Sequence, residues 1–243
     1  MPPTVGPMTP EQHVQFFQAE ADAFARVLPT GDLDAAVPNC PGWTLTDLTA
    51  HLGGVHRWAR GAILTGPGSD EYPIPTGRDA IVDWFTEGAT ALYETLATID
   101  PAMPCWAFAD PKTAEFWMRR QAHETSVHRW DAESSQGTPG PIEAALAADG
   151  LHEVVDMFFP RQVRLGRVPP LQRSLLLSPD DGAPCTLAGD GTGHSGDVEA
   201  ELAGPAEALL LLIWGRTVVD DPRLRLTGSR AAAEEVLATA MTP

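Results

Sequence analysis

Apolar residues in the first half of the chain recur at alternating spacings of three and four, the period of an amphipathic α-helix. The first such segment runs from Thr9 to about Leu28, and Gln12 lies three residues after Thr9. Thr9 and Gln12 match a capping box, in which each side chain bonds the backbone N–H of the other residue. The pattern therefore predicts a first helix over this segment.

A second capping box predicts another helix start at Thr44, with Asp47 three residues later. The apolar stripe of this helix is expected to consist of Leu45, Leu48, Leu52, Val55 and Ala59. His51 falls at the edge of the stripe, where a half-buried core histidine bonded to a backbone carbonyl is the simplest interpretation. His56 falls on another face and is expected to be exposed to solvent.

Two more helices are predicted before residue 140. Asp79 is expected to cap a third helix that ends near Asp100, with Ile81, Phe85, Leu92 and Leu96 pointing inward. A fourth runs from about Thr113 to Gln136, a stretch that contains neither Pro nor Gly. The segment 66–77 is rich in Gly and Pro and is predicted to be a loop, and the segment 104–111, which begins and ends with Pro, is predicted to be a second loop. Four helices joined in this way indicate a four-helix bundle, a fold that builds metal sites from inward-pointing side chains.

The fourth helix carries two stripes of chemically distinct residues. The stripe expected to pack is formed by Phe116, His123, Val127 and Trp130, and the other by Trp117, Gln121, Glu124, His128 and Asp131. Glu124 and His128 are four residues apart, so a carboxylate and an imidazole can reach one ion. An ordinary surface pair has the same spacing. Two residues alone are therefore only half of a metal site, and a third ligand is needed.

The pattern changes after a break at residues 137–140. Pro141 is expected to begin a linking helix that ends at Pro160 or soon after. Short strands are predicted at 174–177, 185–187, 197–202 and 224–226, and helices at 206–214 and 230–241. The predicted fold class is therefore α+β, with a helix bundle over residues 1–140 and a smaller mixed domain, including the linking helix, over residues 141–243.

Composition excludes several kinds of partner. With 16 basic and 33 acidic residues the net charge is −17, which disfavours binding to nucleic acid and to anionic membranes. The longest apolar run is Ala208–Trp214, too short to span a bilayer, and nothing marks the chain for export. The three cysteines lack C-x-x-C spacing and do not indicate a disulfide framework. A cytoplasmic protein is expected.

Several motifs together resemble one known family. They are Cys-Pro-Gly-Trp-Thr at 40–44, His-Leu-Gly-Gly at 51–54, Arg-Arg-x-Ala-His-Glu-Thr-x-Val-His-Arg at 119–129, Asp-Gly at 149–150 and Trp-Gly-Arg at 214–216. The family they resemble is that of mycothiol-dependent maleylpyruvate isomerases, and the likeness extends over essentially the whole chain. The resemblance implies a DinB-like four-helix bundle followed by a sterol-carrier-like α+β domain, with the active site between the two domains.

The resemblance also implies a metal site and a cosubstrate. His51 would join Glu124 and His128 around one divalent metal, usually zinc, and so supply the third ligand. Two imidazoles and one carboxylate leave a fourth position open, as in catalytic zinc sites. Mycothiol is the implied thiol, and zinc would hold it as a thiolate that adds to an activated double bond or displaces a leaving group. The expected function is an isomerase or S-transferase for a small acidic or electrophilic molecule.

Other functions stay open from the residues themselves. A metal-dependent hydrolase would use zinc-bound hydroxide and need no thiol. A non-enzymatic protein could keep the same ligands and simply bind a small molecule or a metal. The residues specify neither the substrate nor the oligomeric state.

Three more residues are candidates for the site. Asp131 could accept a hydrogen bond from a ligating imidazole, or could be a surface residue paired with Arg129 or water. Cys40 lies in a turn motif where a small residue packs, and a catalytic role is the alternative. Arg216 resembles a family arginine that takes part in catalysis and binds an acidic substrate or thiol carboxylate. Just past a helix, it could instead satisfy free backbone carbonyls.

Overall fold

The computed structural model describes residues 8–68, 72–193 and 196–242. The described chain divides into two compact units, Met8–Ile142 and a second unit that begins at Glu143. The first is built from helices and the second combines helices with a sheet, so the predicted α+β class is confirmed. Among the described residues, no helix is both long enough and apolar enough to cross a membrane.

In the described part of the first unit there are four helices: α1 Pro10–Val27, α2 Leu45–Thr65, α3 Arg78–Thr98 and α4 Ala114–Ser135. Helix α1 packs mainly against α4 and α3, and α2 packs against α3 and α4. Each helix thus has two main neighbours, as in a four-helix bundle. The core between them includes side chains that are 0% exposed, among them Phe17, Phe24, Leu48, Leu52, Phe85, Leu92 and Trp117.

Both predicted capping boxes are present, and the third predicted cap is wrong. The Thr9 hydroxyl accepts a hydrogen bond from the Gln12 N–H at 3.3 Å, and the Gln12 side chain accepts one from the Thr9 N–H at 2.8 Å. The box at Thr44 has the same form. Helix α3 instead has Gly77 at its N-cap, with φ +93° and no capping side chain. Asp79 lies in the first turn, where the helix dipole favours a negative charge.

The buried stripe of α2 differs from the predicted one. Val55 is only half-buried, whereas His56, which the periodicity places at the surface, is completely buried. The His56 ring lies 5.1 Å from the ring of Phe17 on α1 and 5.5 Å from that of Phe85 on α3. Its Nε2 lies 3.0 Å from the hydroxyl of Thr125 on α4. His56 is buried because three neighbouring helices reach this face of α2.

Helix α4 is buried on almost every side. The stripe that was not expected to pack contains Trp117, Gln121 and Asp131, which are 0%, 1% and 0% exposed. Packing against both α1 and α2 encloses the helix. The prediction of a single packing face is therefore wrong. Polar groups on an enclosed helix must find partners inside the protein.

The second unit begins with one nearly continuous helical segment. It consists of α5 Ala144–Glu153, a π-helical turn at Val154–Phe158, and α6 Phe159–Arg164. The helix starts later than the predicted Pro141 because the carboxylate of Glu143 caps it by accepting two backbone N–H groups. It ends soon after Pro160, as predicted.

A four-stranded sheet follows, with strands β1 Leu171–Pro179, β2 Cys185–Gly189, β3 Ala200–Gly204 and β4 Arg225–Gly228. The order is β2-β1-β3-β4; β1 pairs antiparallel with β2 and parallel with β3, and β3 pairs antiparallel with β4. Two helices, α7 Ala206–Ile213 and α8 Arg230–Leu237, pack on β1 and β3. The four predicted strands are present, although β3 begins three residues later than predicted and α8 ends before the predicted Met241.

Candidate metal centre

Three of the predicted site residues converge in the first unit. His51 Nε2 lies 3.2 Å from Glu124 Oε1, and His128 Nε2 lies 3.4 Å from the same oxygen. One donor atom from each of the three residues falls within 4.8 Å of the others. Helix α2 supplies His51, and one turn of α4 supplies Glu124 and His128. The packing of α2 on α4 therefore joins the half-site on α4 to a third side chain.

The spacing of these donor atoms fits a tetrahedral ion. For bonds of about 2.0–2.1 Å to zinc, ligand atoms at tetrahedral angles lie about 3.3 Å apart. The distances from Glu124 Oε1 to the two imidazole nitrogens match this value. The His51 side chain is 36% exposed, whereas those of Glu124 and His128 are 15% and 12% exposed. A bound ion would thus be reached from the side of His51.

Asp131 holds His128 from the side opposite Glu124. The Nδ1 atom of His128 lies 3.1 Å from Asp131 Oδ2, and the Cys40 thiol donates to the same oxygen at 3.7 Å. Because Asp131 accepts the Nδ1–H, Nε2 faces Glu124 and is the ring nitrogen left to bind a cation once it has lost its proton. Asp131 is 0% exposed, so the interpretation as a surface residue is wrong. Cys40 packs in its turn as expected and also contributes this hydrogen bond.

Arg129 makes a separate buried network. Its guanidinium donates to Glu20 at 2.7 Å, to Glu133 at 2.8 Å and to the carbonyl of Gly140 at 2.7 Å. These bonds connect α4 to α1 and to the segment after α4. Arg129 thus stabilises the bundle, and the interpretation that pairs it with Asp131 is wrong.

Arg120 is the part of this centre that the sequence analysis missed. Its Nη2 lies 2.6 Å from Glu124 Oε2, and the residue is 3% exposed. The spacing of four residues between Arg120 and Glu124 can be read from the sequence, but Arg120 is not part of either stripe predicted on α4. Because the guanidinium occupies Oε2, Glu124 presents Oε1 to the two histidines.

Contacts in the centre shift two pKa values in opposite directions. Burial by itself would raise the pKa of Glu124, but the charge of Arg120 and hydrogen bonds from His128 and His51 hold that pKa well below its usual value. Burial by itself would lower the pKa of His128, but its hydrogen bonds, chiefly to Asp131, raise that pKa well above the usual value. Glu124 is therefore ionised at neutral pH, the form that binds a cation.

Arg216 belongs to the second unit, just after α7. Its backbone N–H donates to the Leu211 carbonyl at 2.7 Å, and its guanidinium donates to the Trp214 carbonyl at 2.6 Å. Gly215 between them has φ +71°, the left-handed conformation common after a helix. These contacts are those expected of a residue that caps a helix. A role for Arg216 in binding substrate or thiol stays a prediction.

Two family models match successive parts of the chain. The model of the mycothiol maleylpyruvate isomerase N-terminal domain matches residues 17–133, from within α1 to the last turn of α4. The model of the C-terminal domain of the same family matches residues 145–235 in the second unit. No curated protein sequence matches the chain.

Two solved structures have the same fold over most of their length. The crystal structure of the mycothiol-dependent maleylpyruvate isomerase covers 91% of this chain and 95% of its own, with 12% identity and a TM-score of 0.63. A variant of that enzyme with one histidine replaced by alanine gives the same coverage, 11% identity and a TM-score of 0.66. Because both domain models match in order and the fold agrees, the chain belongs to the mycothiol-dependent maleylpyruvate isomerase family.

Proposed function

We propose that this enzyme uses one divalent metal and mycothiol to isomerise a small acidic or electrophilic molecule, or to join the thiol to such a molecule as an S-transferase. The observation that carries the proposal is the convergence of His51, Glu124 and His128 at distances suited to zinc. Family membership supports the thiol and the isomerase chemistry. The donor set supports the metal, since two imidazoles and a carboxylate make a catalytic type of zinc site.

Side chains around the ligands prepare the centre for a cation. Arg120 keeps Glu124 ionised and leaves Oε1 for the ion. Asp131 holds the His128 ring so that Nε2 faces Glu124, where it would bind the ion after losing its proton. Zinc held there would supply a positive charge that keeps a bound thiol ionised at neutral pH.

The chemistry needs only the ionised thiol and an activated double bond. Addition of the thiolate converts the double bond into a single bond, about which the adduct can rotate. Elimination then restores the double bond in the other geometry and returns the thiol, so no atoms are gained or lost. In an S-transfer the carbon next to the new C–S bond takes up a proton instead, and the thioether is released as the product. The partly exposed His51 side marks where thiol and substrate would enter.

Cobalt substitution tests this proposal directly. Mycothiol should give a sulfur-to-cobalt charge-transfer band in the near ultraviolet, and its binding should release a proton below the free thiol pKa of about 8.5. The S-methyl derivative should give no band. His51→Ala should abolish the band, whereas His152→Ala, a matched change in the second unit, should keep it. Absence of both band and proton release would overturn the proposal and favour hydrolysis, in which the metal never meets sulfur.

A further inference from the structure

A partly open strip leads away from the metal centre along α2. His51 faces Glu124 at 3.2 Å, and Trp58, seven residues later, faces Trp117, seven residues before Glu124, with ring centroids 5.0 Å apart. The two helices therefore run antiparallel in a constant register. His51, Val55 and Trp58 are each half-buried. This His51–Trp58 strip extends for about 10 Å, the rise of seven helical residues.

Gln121 faces the middle of the strip, because it lies between Trp117 and Glu124 on the same stripe of α4. It is 1% exposed, and its Oε1 is buried and accepts no hydrogen bond from any residue that the structure describes. Buried polar atoms nearly always have partners, since leaving one unpaired costs free energy. We therefore expect this oxygen to accept a hydrogen bond from a donor that is not part of the described chain.

Aromatic rings surround the far end of the strip. The Trp58 ring centroid lies 5.8 Å from that of Trp106 and 6.2 Å from that of Phe108. The Trp117 indole N–H donates to the Trp106 carbonyl at 2.7 Å, which anchors the loop that carries Trp106. Within the described ranges, the indole N–H groups of Trp58 and Trp106 have no acceptor. Flat apolar faces edged with N–H donors suit a ligand that is apolar on one face and polar at its rim.

We propose that Gln121, Trp58 and Trp106 bind the polyhydroxylated, sugar-like part of the thiol cosubstrate, while its sulfur reaches the metal centre. This inference rests on the proposed function and specifies how the thiol is recognised. A ligand hydroxyl would donate to Gln121 Oε1, and other ligand oxygens would accept from the two indole N–H groups. The C–H face of the sugar ring would lie against Trp58. The charge of Arg120 is engaged by Glu124, so a polyol matches these groups better than a carboxylate does.

A comparison of two thiols distinguishes binding at this subsite from binding at the metal. Mycothiol carries the polyhydroxylated group, and N-acetylcysteine offers a thiol without it. In calorimetric titrations of the zinc-loaded protein, Gln121→Leu should weaken mycothiol binding about tenfold, the loss of roughly one hydrogen bond. Trp58→Ala should weaken it by a similar factor, and Trp58→Phe by less. Binding of N-acetylcysteine should be unchanged in all three variants. Gln18→Leu, an exposed glutamine change on α1, is the matched control and should alter neither affinity.

The outcomes distinguish the subsite from the proposed function. If Gln121→Leu binds mycothiol as tightly as the unmodified chain, Oε1 is satisfied by water alone and the subsite is wrong. Equal weakening of both thiols would also overturn it, because the effect would then act through the metal. If neither thiol binds the unmodified protein, the proposed function itself fails. Gln121→Leu removes an unpaired buried acceptor, so its thermal stability should not fall, and it remains a usable test if Trp58→Ala does not fold.

Discussion

His128 Nδ1 lies 3.1 Å from Asp131 Oδ2, and Asp131 has no exposed surface. One carboxylate thereby holds the orientation of the ring and keeps the proton on Nδ1, which leaves Nε2 as the nitrogen that can bind a cation. The Cys40 thiol, bonded to the same oxygen, limits the movement of Asp131. The geometry of the proposed metal centre thus depends on residues that would not touch the metal.

Replacing Asp131 should weaken metal binding without removing a ligand. Asp131→Ala should lower zinc affinity about 10- to 100-fold, the usual effect of losing a partner that orients a metal-bound histidine. Asp131→Asn should lower zinc affinity by a smaller factor, because its amide oxygen can still accept the Nδ1–H of His128. Competition with a chelator measures both values. The control is Asp156→Ala, which removes an aspartate 3.2 Å from His152 in the second unit and should leave zinc affinity unchanged.

The three proposed ligands should each be required for metal. The purified protein is expected to carry about one zinc per chain, and His51→Ala, Glu124→Ala and His128→Ala should each lose it, since two remaining ligands hold zinc weakly. Metal analysis after dialysis against a zinc buffer gives the stoichiometry. His152→Ala should retain the metal. Full zinc occupancy in a variant lacking all three residues would show that the ion lies elsewhere.

Arg120 should matter most when no metal is bound. In the metal-free protein the Arg120 guanidinium is the positive charge closest to Glu124. Arg120→Met would remove this charge and leave the mostly buried carboxylate without its nearest cationic partner. Removing one partner of a buried pair costs about 3 kcal/mol of unfolding free energy. Urea unfolding should show this loss, and zinc should restore part of it by supplying a positive charge. A loss of the same size with and without zinc would mean that Arg120 acts only through packing.

His56 should make the metal-free protein less stable in acid. Burial lowers its pKa to about 3, below the value of about 6.5 expected in the unfolded chain. The neutral ring therefore contributes stability that is complete above about pH 6.5 and is lost as pH falls toward 3, at about 1.4 kcal/mol per pH unit. His56→Leu should be less stable at pH 8, because it lacks the bond to Thr125, but should lose less stability between pH 6.5 and 4.

His152 provides a comparison of opposite sign. Its hydrogen bond to Asp156 is the main cause of a raised pKa. Its contribution is therefore complete below about pH 6.5 and is lost as pH rises through the raised pKa, and it should be small because the side chain is 30% exposed. The prediction for His56 can be contradicted in the same way. If the unfolding free energy of His56→Leu fell between pH 6.5 and 4 as steeply as that of the unmodified chain, the loss of stability in acid would not come from His56.

Substitution of Arg216 should distinguish a helix-capping role from a role in ligand binding. If it binds an acidic group, Arg216→Met should raise the KM for the acidic substrate or thiol while metal content stays constant. The helix-capping role alone predicts a small loss of thermal stability and an unchanged KM. Arg216→Lys keeps the charge and should recover part of the KM effect. Steady-state kinetics with thermal unfolding of the same samples distinguish the two roles.

Local signals in the sequence were sufficient for most of the secondary structure. Capping boxes at Thr9 and Thr44 act within one turn, so they can be recognised without knowing what packs nearby. The short segments 174–177 and 185–187, which predicted β1 and β2, are equally local signals. The proposed ligands on α4 were visible for the same reason, since Glu124 and His128 are separated by one helical turn. His51 was assigned to the site through motif resemblance.

Tertiary packing decided which side chains are enclosed and which meet. His56 is buried because α1, α3 and α4 all reach its face of α2, and no spacing within α2 contains that information. Gln121 Oε1 has no hydrogen-bond partner among the described residues, and the spacing of residues along α4 does not reveal this. The approach of His51 to Glu124 likewise follows from the register of α2 against α4. Helical periodicity depends on neighbours in sequence, whereas enclosure and convergence depend on which helices pack together.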